Sequence, residues 1–188
     1  MNRIFAKYAP REPSVSYTVA SHSVHVRRLR LRDLESVAEI LQERNGGRLE
    51  DHVERLSGAL RPRTKRESLH LVAAIRGKLV GYGRASYFEP PDDAPANVAP
   101  AGWYLTGVNV REEYRRLGVA SELTQKRLEW LRTRADDVYY FANARNRASI
   151  DLHARLGFKE VTKDFWFPGV SFTGGVGILF RLRLGKQA

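Results

Sequence analysis

The sequence predicts an α/β domain, and three observations carry that prediction. Short runs alternate apolar and polar residues at period two, as in Val24 to Leu31, VHVRRLRL. Longer segments between them repeat apolar residues at helical spacing. Two strand-like runs, LHLVAAI and LVGYGRASYF, flank the turn Arg76-Gly77-Lys78 and read as a β-hairpin.

In chain order, residues 1–23 have little periodicity and contain Pro10 and Pro13, so they read as an arm outside the domain, which is expected over 24–188. Val24 to Leu31 is the first strand. Asp33 is placed to cap a helix in which Leu34, Val37, Ala38 and Leu41 share a face, and Asn45-Gly46-Gly47 stops it. A second helix is expected from Asp51 to Leu60, ending before Pro62. The hairpin follows, Leu69 to Ile75 and Leu79 to Phe88. Pro90 to Pro100 is a loop rich in Pro, Asp and Ala, and Trp103 to Val110 is the next strand. Val119 to Arg134 is a helix with Leu123, Arg127, Leu128 and Leu131 on one side. Val138 to Ala142 is a strand. Asn146 to Leu156 is a helix closed by Gly157. Phe158 to Lys163 and Ile178 to Leu184 are the last strands, separated by the aromatic and Gly-rich FWFPGVSFTGGVG.

The composition narrows the function. With 188 residues, 43% hydrophobic and 28% charged, the chain fits one soluble globular domain with a sizeable core. It shows no apolar run long enough for a membrane span and no secretory segment. It has no cysteine, which excludes disulfides, thiolate metal sites and a cysteine nucleophile, and fits a cytoplasmic setting. The net charge is +11. Seven of the 32 basic residues are Lys, so 25 are Arg, and they are scattered over every segment. That scatter disfavours a nucleic-acid face, while the charge favours encounter with an anionic cofactor.

The stretch Val108 to Ala120, VNVREEYRRLGVA, organises the chemistry. An apolar strand enters a basic turn that opens a helix at Gly118. Lacking a Cβ, glycine lets a ligand approach the backbone. The first helical N–H groups have no partner inside the helix, and the helix dipole makes that end positive. Arg115 and Arg116 add two full charges. Together these features suit a phosphate-bearing ligand.

The spacing Arg115-x-x-Gly118-x-Ala120 resembles motif A of the GNAT superfamily of N-acetyltransferases, Q/R-x-x-G-x-G/A. Asn146 to Phe158, NRASIDLHARLGF, resembles that family's motif B, N-x-x-A-x-x-L-Y-x-K-L-G-F, and the element order from Val24 to Leu184 is that of a GNAT domain. One departure is Glu112, where the family often has Pro. The resemblance implies a mixed, mostly antiparallel central sheet of about six to seven strands with flanking helices. It implies acetyl-CoA as cosubstrate and no metal. The pyrophosphate falls to Arg115, Arg116, Leu117, Gly118, Val119, Ala120 and Ser121. The pantetheine arm falls to the strand edge at Val108, Asn109 and Val110 and to Asn146, which can also act simply as an N-cap. His153 stands where the family's Tyr protonates the leaving thiolate, and is the expected catalytic residue.

The implied reaction is direct acyl transfer to an amine. A lysine-like amine has a pKa of about 10.4, so a base or a water relay is required. Trp103, Tyr104, Thr106 and Asn109 supply no carboxylate where many family members use Glu. The base is left unassigned, with a water chain through Tyr104 or Thr106 as the expectation. The oxyanion is expected on a backbone N–H near Val108. Trp103, Tyr104, Phe165, Trp166 and Phe167 are candidates for an apolar acceptor wall. The favoured acceptor is a small-molecule amine. A protein or peptide amine, or a non-catalytic acyl-CoA binder, are the alternatives. A homodimer is compatible with the sequence.

Overall fold

The computed structural model describes residues 23–60, 68–172 and 175–185. Of the expected arm, 1–23, only Ser23 falls within the described residues. The strands are β1 (His25–Arg28), β2 (Leu69–Ile75), β3 (Lys78–Phe88), β4 (Gly102–Val110), β5 (Asp137–Asn143), β6 (Lys159–Thr162) and β7 (Gly177–Arg183). The helices are α1 (Leu34–Asn45), α2 (Leu49–Leu60), α3 (Val119–Leu131) and α4 (Arg147–Arg155). The strands form one seven-stranded sheet in the order β1-β2-β3-β4-β5-β7-β6. Every neighbouring pair is antiparallel except β4 with β5. The element order and the mixed sheet agree with the sequence expectation.

Strand alternation assigns side chains to two faces. One face carries Leu71, Ala85, Leu105, Val138, Tyr140 and Phe180, buried against Leu123, Leu128 and Leu131 of α3 and Phe158 after α4. Helix α3 comes very close to β3. A Cβ at Gly81 would stand 2.8 Å from Cγ1 of Val119, so only glycine admits that approach.

The opposite face has two separate apolar covers. Helices α1 and α2 place Val37, Ala38 and Leu56 over Val72 and Tyr82. Farther along the sheet, Tyr104, Tyr139 and Leu179 meet Ala99 and the partly buried Phe88, Phe141, Phe165 and Phe167. The loop before β4 is joined there to the loop after β6. Ala99 donates its backbone N–H to Trp166 O at 2.9 Å, Trp166 donates its own to Asn97 O at 2.8 Å, and Asn97 Nδ2 donates to Asp164 Oδ1 at 2.6 Å.

Asp33 corrects one expectation. Its carboxylate makes no capping bond to α1. It accepts the backbone N–H of Arg30 at 2.8 Å and two bonds from Arg27, at 2.6 and 2.9 Å, closing the turn that precedes the helix. The guanidinium of Arg27 is the first cause holding this carboxyl below its usual range. Helix α2 starts at Leu49, two residues before the expected Asp51, and His52 Nε2 bonds Gly46 O at 2.8 Å across the bend between α1 and α2.

Candidate active site

β4 and β5 are paired only at Trp103 with Val138 and Tyr104 with Tyr139. Beyond Tyr104 they diverge, so from Leu105 onward β4 has no strand on its β5 side among the described residues. The divergence coincides with a bulge. Gly83 pairs with Val108 and Ala85 with Leu105, so β4 spends one residue more than β3. Gly107 takes up that irregularity at φ +79. The expected strand-edge residues Val108, Asn109 and Val110 follow directly, all partly buried.

Arg127 stands beneath the bulge, fully buried. Its Nη1 donates to Arg84 O at 3.0 Å and to Gly107 O at 3.3 Å, its Nε to Leu123 O at 3.1 Å, and its Nη2 to Thr124 Oγ1 at 2.9 Å. No carboxylate pairs with it among the described residues. Burial is the main cause pushing its pKa down to about 9, which leaves it charged at neutral pH. A buried cation held almost entirely by carbonyls is costly, so its survival points to what it holds. In the sequence Arg127 reads only as one position on a helical face. The available signal was one arginine four residues after Leu123 on an otherwise apolar stripe.

The far end of the opening leads to the start of α3. The chain leaves β4 through a 3₁₀ turn at Glu112–Tyr114 and passes through two left-handed residues, Arg116 at φ +67 and Gly118 at φ +81. No side chain caps α3. The first helical bond runs from Glu122 N–H to Gly118 O at 3.0 Å, so the amides of Val119, Ala120 and Ser121 precede it. A Cβ on Gly118 would meet nothing within 4 Å, so the space above this backbone is open. Arg115 Nη1 lies 3.3 Å from the exposed carboxylate of Glu112. Leu117 is exposed, and Val119 turns its side chain into the core. The residues read as motif A therefore form one contiguous, open, positively charged helix start.

Asn146 is the N-cap of α4, its Oδ1 accepting Ser149 N–H at 3.3 Å. Its Nδ2 has no partner among the described residues. His153 has a different setting from the one expected. It is buried, stacked on Tyr140, and its Nδ1–H donates to Ser149 O at 2.8 Å. Desolvation lowers its pKa to about 4. The neutral ring then carries its only proton on Nδ1, leaving Nε2 with none to give a thiolate.

The candidate acceptor wall is also corrected. Trp103 lies on the α3 face, edge-on to Trp130 at 5.1 Å. Tyr104 is fully buried and donates its hydroxyl to Pro100 O at 2.7 Å, which removes it from any water relay. Thr106 remains, partly buried beside the bulge, accepting from Arg84 Nε at 2.9 Å with Ser86 Oγ 3.3 Å away. Glu112 and Glu113 are exposed on the turn.

The sheet thus opens between two parallel strands, with a bulge at the opening and an uncapped helix start beyond it. Residues 34–158 match the Acetyltransferase (GNAT) family, and the chain belongs to that family. An N-alpha-acetyltransferase of Sulfurisphaera tokodaii is 32% identical over 100 residues. That match covers 50% of this chain and 59% of that protein's own length. The ribosomal-protein-S18-alanine N-acetyltransferase of Escherichia coli has a TM-score of 0.62 at 19% identity, over 88% of this chain and 99% of that one. The structure of yncA from Salmonella typhimurium, with its cofactor acetyl-CoA, has a TM-score of 0.65 at 16% identity, over 88% and 96%. At these identities the structural likeness is one of fold. Among the described residues no helix is long and apolar enough to cross a membrane, and no group of three His, Cys, Asp or Glu residues forms a metal site.

Proposed function

We propose that this protein transfers the acetyl group of acetyl-CoA to a primary amine, and that the amine is an α-amine. The observation that carries the reading is the divergence of β4 from β5 leading to the uncapped start of α3. The amides of Val119, Ala120 and Ser121, with Arg115 and Arg116 beside them, receive the pyrophosphate. The free edge from Val108 to Val110 pairs with the pantetheine amides as a neighbouring strand would. Asn146 adds its Nδ2 donor. When bound, acetyl-CoA supplies an acyl carbonyl activated as a thioester.

The bulge supplies the polarising group. A backbone N–H near Val108, on the strand edge that β5 leaves, is the donor to the acyl oxygen in this reading. The bonds from Arg127 to the carbonyls of Arg84 and Gly107 hold that segment, so that it needs little reorganisation as charge develops. Thr106 and Ser86 anchor water that carries the amine's proton away. Such a relay is a weak base, which suits an amine of low pKa. The α-amine of a polypeptide terminus titrates at about 7.7–8.0, so roughly one in ten is neutral at pH 7, against roughly one in a few thousand for a lysine side chain. The amine of a free amino acid lies between them, because its own carboxylate holds the ammonium form. The name of the Sulfurisphaera relative points to the same kind of amine. The acceptors this reading admits are a small α-amino compound, our first choice, and a polypeptide N-terminus, which the amine pKa alone would favour.

The test is release of the CoA thiol over a panel of α-amines and ε-amines, read with a thiol-reactive dye. The chain contributes no background because it has no cysteine. Release that requires an α-amine is the expected result. Release with ε-amines alone overturns the α-amine assignment. Acetyl-CoA binding with no release from any amine overturns the enzymatic reading and leaves a binding protein.

A further inference from the structure

Between the two apolar covers of the inner sheet face lies a polar gap. Along β3, Tyr82 belongs to the α1–α2 cover and Phe88 to the aromatic cover, and Arg84 and Ser86 stand between them on the same face. Thr106 is their neighbour on β4, at the level where β4 loses β5. Arg84 is partly buried and fixed at both ends. Its backbone carbonyl accepts from buried Arg127, and its Nε donates to Thr106 Oγ1 at 2.9 Å. No carboxylate answers it: Arg84 takes part in no ion pair among the described residues, and its terminal nitrogens have no hydrogen-bond partner there. Its charge is felt nearby, since it helps lower the pKa of buried His70 and opposes the burial that raises Tyr82.

An oriented, half-buried arginine without an acid partner among the described residues suits an anion. Its fork presents parallel donors to a planar carboxylate. We propose that Arg84 binds the carboxylate of the acceptor, so that the acceptor is a free α-amino acid or close analogue rather than a peptide. This deepens the acetyltransfer reading and rests on it. The carboxylate docks on Arg84, and the α-amine, two bonds away, is directed toward the bulge at Gly107. The same positive charge disfavours the ammonium form and helps present the amine neutral. In a polypeptide N-terminus the corresponding carbonyl is an uncharged amide, which leaves the guanidinium unanswered.

The experiment compares each of a set of α-amino acids with its own carboxamide, using wild type, Arg84→Gln and Arg84→Lys. One readout is kcat/KM for CoA release. The second is the calorimetric Kd of the N-acetylated acid and of its amide in the presence of CoA. Wild type is expected to favour the acid by about tenfold or more in both. Arg84→Gln brings the acid down to the level of the amide, and Arg84→Lys, which keeps the charge and loses the fork, falls between. The Kd for acetyl-CoA reports that each variant is folded. Equal use of acid and amide by wild type overturns the proposal without touching acetyl transfer, and preference for the amide makes a peptide the acceptor. A preference that survives in Arg84→Gln moves the anion site elsewhere. No release from any amine removes the acetyltransfer reading and this proposal with it.

Discussion

The imidazole of His153 lies flat on the ring of Tyr140, with centroids 3.8 Å apart and planes 15° apart. Phe180 stacks on the same tyrosine at 4.7 Å, and Phe158 meets both His153 and Tyr140 edge-on. The histidine is thus a member of an aromatic stack whose one strong polar bond goes back into its own helix.

His153→Phe keeps the stack and removes the titrating group. The rate of CoA release near pH 7.5 is expected to change by less than about twofold, because the neutral ring holds no proton for the leaving thiolate. A tenfold loss at unchanged acetyl-CoA affinity would restore a chemical role. The same variant also changes acid stability. Histidine titrates near 6.5 when unfolded, and His153 and His70 are both lowered to about 4 in the folded protein. Below about pH 6.5 the unfolded chain binds more protons. Stability present above that pH is then lost as pH falls, by about 1.4 kcal/mol per unit for each histidine. Denaturation across this range should show a shallower acid limb for His153→Phe, by about one proton.

Gly118 and Gly77 form a matched pair. Their φ angles are +81 and +80, and a Cβ on either would meet nothing within 4 Å. Alanine at either position costs about 1–2 kcal/mol of stability through the left-handed backbone. Only Gly118→Ala places its methyl where the pyrophosphate is read to sit, so it should raise the acetyl-CoA Kd by about tenfold or more, with Gly77→Ala unchanged. Calorimetry and thermal melts on the two variants separate ligand contact from strain. Equal affinities would show that phosphate does not approach Gly118.

Arg127→Met removes a buried charge together with the bonds that fix the bulge. The desolvation saved and the hydrogen bonds lost offset, so the melting temperature should move by no more than about 4 °C. The kcat should fall by about tenfold or more while the acetyl-CoA Kd moves less than about threefold, because the carbonyl of Gly107 loses its fixed partner. An unaltered kcat would mean that β4 keeps its bulge without help.

The elements were legible because each is encoded locally. The hairpin over Leu69 to Phe88 and the helix starts at Leu34 and Val119 lie within two residues of where alternation and glycine placement put them. The uncapped start of α3 at Gly118 was legible for the same reason. The bulge at Gly107 was not, because a register shift belongs to a pair of strands and neither β3 nor β4 records it alone. Arg84 was hidden by its own regularity, since a polar residue at an alternate position of a strand reads as facing solvent. Trp103 and Tyr104 do not line one wall, because adjacent strand residues point to opposite faces, and the sequence does not say which face is which. His153 was placed on the correct helix, and the tautomer that its bond to Ser149 imposes exists only in three dimensions.

Two register pairs join the first four strands to the last three within the sheet, and the backbone bonds of Ala99 and Trp166 add one link between the flanking loops. Side chains hold the rest of the two halves together, above all the core that Leu105, Val138, Tyr140 and Phe180 share with α3. The sheet therefore behaves mechanically as two stiff plates on a short hinge, and the packing behind the hinge sets the angle between them. A change of volume at Leu128 or Leu131, remote from any ligand, would alter that angle. Its effect on affinity would come through the width of the opening and through no lost contact.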